Sequence, residues 1–350
     1  MTAPARHRLA IYWAASCGGC DISILNLHEA ILDLAERFEI VFWPAAMDVK
    51  YADVEAMPDG WIDLTLFSGG IRTDENAHLA RLLRRTSRIL VAFGSCATEG
   101  CIPGLANLRP IEDVVDVVLG QPTVVDADGT WPLMRLSVPE GELRLPALEP
   151  TLRTLDQVVA VDYRVPGCPP ESERIAEVLG RLGAALDGRE ALPPSGAVLG
   201  AGDSTVCDEC GRARSPKRID RFARITELGS IDPERCLLEQ GLPCNGPATR
   251  EGCGAKCPAA GAPCIGCYGP AEGVVDFGGR LLSAFASVVD ADDPAEIDRI
   301  LDGLPDPVGQ FYRFSLAGSL LRGGRRAAGP SVAAGEPELV AAGASLGAER

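Results

Sequence analysis

The chain has 350 residues, 46% of them hydrophobic, so it can bury a sizeable core, and length alone suggests about two domains. A formal charge of -16 argues against nucleic acid or an anionic membrane as partner, since both favour basic surfaces. Thirteen cysteines stand out, and no apolar run reaches the roughly 18 residues that a membrane span requires.

The first residues, MTAPARHRLAIYWAAS, run straight into an apolar strand, with no charged-then-apolar leader, cleavage site or twin-arginine pair. The expectation is a cytoplasmic chain, where thiols stay reduced and a cysteine-rich pattern points to metal rather than disulfides. The odd count of thirteen also fits bridged pairs poorly.

In chain order, residues 8–15, 39–43, 63–67, 88–93 and 157–162 are short apolar or β-branched runs and are predicted as strands. Three helices are predicted between or after them. Residues 22–37 carry Ile24, Leu25, Leu27, Ile31, Leu32 and Leu34 at helical spacing. Residues 75–86 follow a cap at Thr73 or Asp74, and residues 171–182 follow Pro169-Pro170. Strands alternating with helices predict an α/β fold over residues 1–183, an open parallel sheet of flavodoxin-like type. Residues 121–146 interrupt the pattern and read as a hairpin turning at Asp128-Gly129.

Cys17 and Cys20 follow the first predicted strand, in SCGGC, and Ser68-Gly69-Gly70 follow the third. Cys96 follows the fourth, in GSCATEG, and Cys168 the fifth, in VPGCPP. In an open parallel sheet these positions share the carboxyl edge, where such folds bind ligands. Four thiols distant in sequence thus converge, a set that suits zinc or a [4Fe-4S] cluster. Cys-x-x-Cys alone is weak, because thioredoxin-like pairs share it; Cys96 and Cys168 in matching places strengthen it. Gly18 and Gly19 leave amides near the sulfurs and no side chain in the way of a partner.

Residues 184–206, rich in Ala, Gly and Pro, read as a linker. After it come Cys207, Cys210, Cys236, Cys244, Cys253, Cys257, Cys264 and Cys267, in a stretch dense in Pro and Gly. So few large apolar residues predict dependence on metal for folding, with two four-ligand sites in residues 207–270. Zinc is the rival, since paired Cys-x-x-Cys elements also mark zinc ribbons. Zinc does not account for a third four-cysteine site at the edge of a redox-type α/β domain, whereas three clusters make a relay. Arg212, Arg214, Lys217, Arg218, Arg221 and Arg224 form a basic run that could steer an electron partner or balance a cluster's charge, or be an ordinary solvated face.

Over residues 8–270 these motifs resemble the small subunit of [NiFe] hydrogenases: Cys17 and Cys20 in C-x-G-C, Cys96 in GSCA, and Cys168 in GCPP. The resemblance implies a proximal [4Fe-4S] cluster on those four, facing a separate large subunit whose nickel–iron centre splits H₂. It implies a distal [4Fe-4S] cluster on Cys207, Cys210, Cys236 and Cys244, with Cys207 where many relatives have histidine. The segment CLLEQGLPCNGP is two residues longer than the family's corresponding stretch. A medial [4Fe-4S] cluster is implied on Cys253, Cys257, Cys264 and Cys267; many periplasmic members have proline at the position of Cys257 and assemble only a three-iron cluster. Cys101 stands where the family usually has glycine. Oxygen-tolerant members carry an extra proximal cysteine at this offset, together with another where this chain has Gly19, so a six-cysteine cluster is not expected.

CGGCD, with no leader and no anchor, resembles the cytoplasmic, F420-non-reducing or viologen-reducing branch. That branch implies a further iron–sulfur or flavin electron-transfer subunit, with heterodisulfide-reductase-like proteins as candidates. The F420-reducing small subunit differs by ferredoxin-type cysteine runs, and the homologous complex I subunit lacks the later eight cysteines. Residues 271–325 are expected to pack on the large subunit or fold back over the clusters, and the Ala/Gly-rich tail 326–350 to be mobile.

Overall fold

The computed structural model describes residues 6–125, 133–215, 218–304 and 306–321. Five strands, His7–Trp13, Phe38–Phe42, Ile62–Ser68, Ser87–Phe93 and Tyr163–Val165, form one sheet in the order second, first, third, fourth, fifth. Every pairing in it is parallel, and this order is that of the flavodoxin-like α/β fold. The central strand Ile62–Ser68 is buried on both faces, as a sheet with helices on either side requires. One face packs Leu9, Ile11, Leu64 and Val91 against Ile175, Leu179 and Leu182. The other packs Ala10, Phe67 and Leu90 against Leu79 and Leu83.

Four strands lie where the alternation places them; the fifth does not. Residues 155–157 form a 3-10 turn, and the strand is Tyr163–Val165. Val158, Val159 and Val161 do pack on the core, but outside any strand. The carboxylate of Asp162 accepts from the Leu90 N–H at 2.7 Å, and pairing with the fourth strand begins only beyond it. The predicted helix 22–37 is two helices, Gly19–Leu25 and Ala30–Arg37, separated by a turn in which His28 takes a φ of 51°. Thr73 caps Asp74–Thr86, its hydroxyl accepting from the Asn76 N–H at 3.1 Å. The helix after Pro169-Pro170 spans Ser172–Leu186. A hairpin does interrupt the alternation, Arg135–Val138 against Gly141–Arg144, closing through Pro139 and Glu140. The predicted turn at Asp128-Gly129 lies outside the described residues, as do Lys217 of the basic run and the tail 326–350.

Residues 187–205 run along the sheet edge, where the Leu199 N–H donates to the Arg164 carbonyl at 2.8 Å. Beyond them the cysteine-bearing loops share a second core with the C-terminal helices Phe277–Ala286, Pro294–Leu301 and Pro307–Tyr312. Val206, Phe222, Leu237, Leu238 and Leu242 meet Leu281, Phe285, Ile300 and Phe311 there. The few large apolar side chains of residues 207–267 are thus completed into a core by the helices that follow. The longer CLLEQGLPCNGP segment takes a 3-10 turn, Leu238–Gln240, that drives Leu237, Leu238 and Leu242 into this core.

Candidate metal centres

Because all five strands are parallel, their carboxyl ends lie on one edge. Cys17 follows the first strand, and Cys20 opens the helix Gly19–Leu25. Cys96 sits in the short helix Ser95–Glu99 after the fourth strand, and Cys168 follows the fifth. Burial raises the Cys20 thiol's pKa, and the neighbouring Cys168, Asp21 and Cys17 raise it further. A Cβ on Gly94 would lie 2.3 Å from the Cys20 sulfur, and the backbone there has a φ of +81°, so only glycine lets the Cys20 and Cys96 elements meet. The exposed Cys17 sulfur accepts from the Gly19 N–H at 3.4 Å. Cys101, 1% exposed, reaches the same place, its sulfur 3.6 Å from that of Cys168.

Among the later cysteines, Cys207, Cys210, Cys236 and Cys244 line one small pocket together with Gly246. A Cβ on Gly246 would stand 3.1 Å from the Cys207 sulfur, so glycine leaves this pocket open. Cys253, Cys257, Cys264 and Cys267 are the four that remain. Burial, then the nearby Cys253, Cys168 and Cys257, push the Cys267 thiol up to about 12. The Cys264 thiol is raised by burial and then by Cys244, with Cys267 a further cause. The two sets touch: the Cys264 N–H donates to the Cys244 sulfur at 3.3 Å. The second set also touches the sheet-edge site, since Cys267 and Cys168 pack on one cluster of Cys96, Cys101 and Phe314.

Several supporting residues escaped sequence reasoning. Ser95, 2% exposed, donates its hydroxyl to the Cys267 carbonyl and accepts from the Gly167 N–H at 3.2 Å. One hydroxyl therefore ties three cysteine-bearing elements; its place beside Cys96 was the available signal. Asn245, 1% exposed, donates to the carbonyls of Ile265, at 3.2 Å, and Gln310, at 2.8 Å, holding the 264–267 loop to the last helix. Lys256 pairs with Glu171 across the two halves. Residues 313–319 return to the sheet half: the Cys101 N–H donates to the Phe314 carbonyl at 3.2 Å, and the Gly318 N–H to that of Glu99 at 3.1 Å.

The donors are thirteen thiols, five at the sheet edge with Cys101 among them and eight in the later loops, with two glycines whose missing Cβ leaves space beside the sulfurs. Among the described residues no three of His, Cys, Asp and Glu meet closely enough to hold a single metal ion. A [4Fe-4S] cluster does not ask for that, because its four thiolates bind four different irons, whereas zinc draws its ligands to within about 2.3 Å of one centre. The residues present fit the cluster. Among the described residues, no helix is long and apolar enough to cross a membrane.

Comparison with known proteins shows the family. The family described as NADH ubiquinone oxidoreductase, 20 Kd subunit, matches residues 17–182, which contain Cys17, Cys20, Cys96 and Cys168. The iron-sulfur subunit of the F420-non-reducing hydrogenase of Archaeoglobus profundus is 39% identical over 321 residues, 90% of this chain and 97% of that one. A subunit of the F420-non-reducing hydrogenase of Methanothermobacter marburgensis is 35% identical over 319 residues, 90% of this chain and 96% of that one. A chain of the NAD+-reducing [NiFe]-hydrogenase crystal structure aligns with 54% of this chain and 96% of its own length, at 32% identity and a TM-score of 0.45. The chain belongs to the family of F420-non-reducing hydrogenase iron-sulfur subunits and is a subunit of a hydrogenase.

Proposed function

We propose that the chain passes electrons between the nickel–iron centre of a separate large subunit and an external redox partner, through three [4Fe-4S] clusters. When bound, each cluster takes up and gives back one electron. Cys17, Cys20, Cys96 and Cys168 would hold the proximal one, Cys253, Cys257, Cys264 and Cys267 the medial one, and Cys207, Cys210, Cys236 and Cys244 the distal one. The observation that carries this reading is continuity. Cys168 lies beside Cys267, and Cys264 donates to Cys244, so the three thiol sets form one connected row. A zinc scaffold has no use for such a row.

The chain's own residues set the conditions along it. The N–H groups of Gly19 and Cys264 donate to the sulfurs of Cys17 and Cys244, favouring the more negative state of whatever those sulfurs bind. Phe314, 2% exposed, keeps water from Cys96. At the outer end, Cys17 is exposed beside Trp13, Ile22 and Leu25, which are 44%, 56% and 50% exposed. Exposed apolar side chains around an exposed thiol favour the large subunit as the cover of this end. The further partner is an iron–sulfur or flavin subunit, of which a heterodisulfide-reductase-like protein is one form, and the cytoplasm is the compartment that keeps so many thiols reduced.

Purification with untagged neighbours, followed by iron counting and a visible spectrum, tests the reading. Twelve irons per chain, four for each site, with absorption that dithionite bleaches and a nickel-containing partner, are expected. A colourless zinc-loaded chain would overturn it.

A further inference from the structure

Among the described residues, two arginines are buried in the cysteine-rich half, and they differ in what neutralises them. Arg250, 6% exposed, pairs with Asp203 at 3.5 Å and Glu272 at 3.2 Å. Arg212, 8% exposed, has no carboxylate within ion-pair distance among the described residues. Among the described residues its guanidinium donates only to neutral carbonyls: Nε to Pro258 at 2.8 Å, and Nη1 to Asp232 at 2.7 Å and Arg235 at 3.0 Å. A buried cation with no anion beside it is costly. Such a charge persists where the missing anion is something the polypeptide does not itself supply.

The surroundings say what that anion is. Arg212 lines the same pocket as Cys207, Cys210, Cys236 and Cys244. Two of its carbonyl partners adjoin cysteines of different sets, Arg235 before Cys236 and Pro258 after Cys257. Four thiolates around a [4Fe-4S]²⁺ core carry a net charge of about −2, and one more negative charge after reduction. Resting on the cluster reading above, we propose that Arg212 is the counter-charge of the distal cluster. It would hold the distal potential up and, through its bond beside Cys257, raise the medial potential to a smaller degree. The three carbonyl bonds fix the guanidinium, so the charge stays within the protein rather than in screening solvent.

A positive charge favours the reduced, more negative form, so its removal lowers the potential. Arg212→Gln keeps a donor for one carbonyl but removes the charge; Arg212→Lys keeps the charge but loses the fork. In the intact complex with the large subunit, iron is counted and each cluster is titrated by paramagnetic resonance. Arg212→Gln is expected to weaken reduction of the distal cluster at least tenfold, a fall of about 59 mV for one electron. The medial cluster should shift less and the proximal one not at all, while Arg212→Lys recovers most of the loss. An unchanged distal potential in Arg212→Gln, or equal shifts in the Gln and Lys variants, would overturn the proposal. If Arg212→Gln fails to retain the four distal irons, Arg212→Lys decides. Twelve irons in the Lys variant would support a need for charge, and loss of four would assign Arg212 a purely structural fork. Wild-type protein lacking twelve irons would instead refute the cluster reading itself, so the two failures are distinct.

Discussion

The sheet half gathers five thiols, Cys17, Cys20, Cys96, Cys101 and Cys168, and the loop half gathers eight between Cys207 and Cys267. In the first, the cysteines are placed by strand ends: the paired backbones of His7–Trp13, Ile62–Ser68 and Ser87–Phe93 settle their positions before any metal is considered. In the second, short turns carry the thiols, and the regular structure behind them belongs to the C-terminal helices. Convergence imposed by a sheet costs the local sequence little. Convergence in loops leaves much of the ordering to the bound group itself.

Iron removal is the strongest way to separate the two. Without iron, amide exchange between Cys207 and Cys267 is expected to accelerate by about tenfold or more, while Ile62–Ser68 and Ser87–Phe93 keep their protection. Equal acceleration in both regions would erase the distinction. The glycines beside the sulfurs provide the next comparison. Gly94→Ala meets both a positive φ and a Cβ 2.3 Å from the Cys20 sulfur. With a φ of 81° and a ψ of 160°, it should cost about 1–3 kcal/mol in backbone strain alone and lose the four proximal irons. Gly246→Ala brings its Cβ only to 3.1 Å of the Cys207 sulfur, at a position without that strain, and should retain twelve irons. If Gly94→Ala loads as fully as Gly246→Ala, the sheet-edge site is looser than its geometry implies.

Cys257→Pro asks less of the loop half. Cys257 is exposed, in the short helix Lys256–Ala259, so one corner of the medial cluster should go, leaving a three-iron spectrum and eleven irons in all. An unchanged iron count would remove Cys257 from the ligands and force the eight cysteines to be divided anew. The smallest effect is expected from Cys101→Gly. Cys101 has a φ of 49°, which glycine accepts freely, so relief of strain offsets the lost side chain to within about 1 kcal/mol. All twelve irons should remain, although the Cys101 sulfur lies 3.6 Å from that of Cys168. Loss of four would make Cys101 a ligand.

What the sequence made legible follows from the same contrast. Alternating strands and helices displayed the sheet, and the thiols at its edge could be placed from strand ends alone. The fifth strand was misplaced because Val158, Val159 and Val161 advertise burial, and burial is not pairing; the ladder is made by Tyr163–Val165. The break at His28 was hidden because Ile24 and Leu27 face the core while none of Ala30–Arg37 is buried, and spacing counts residues without following the helix axis. The contacts of Ser95, Asn245 and Arg212 were illegible for a different reason. Each bonds to backbone carbonyls or amides far along the chain, and such partners leave no mark in residue type.

The return of residues 313–319 to the sheet half bears on the order in which the protein is made. A ribosome releases the GSCATEG turn long before it releases Phe314, whose carbonyl accepts from the Cys101 N–H and whose ring packs over Cys96. Until the end of the described chain emerges, the sheet-edge thiols stand without that cover, open to whatever delivers iron and sulfide. Closure by Phe314 thus follows synthesis of the whole sheet, and a chain truncated before it would keep that edge open.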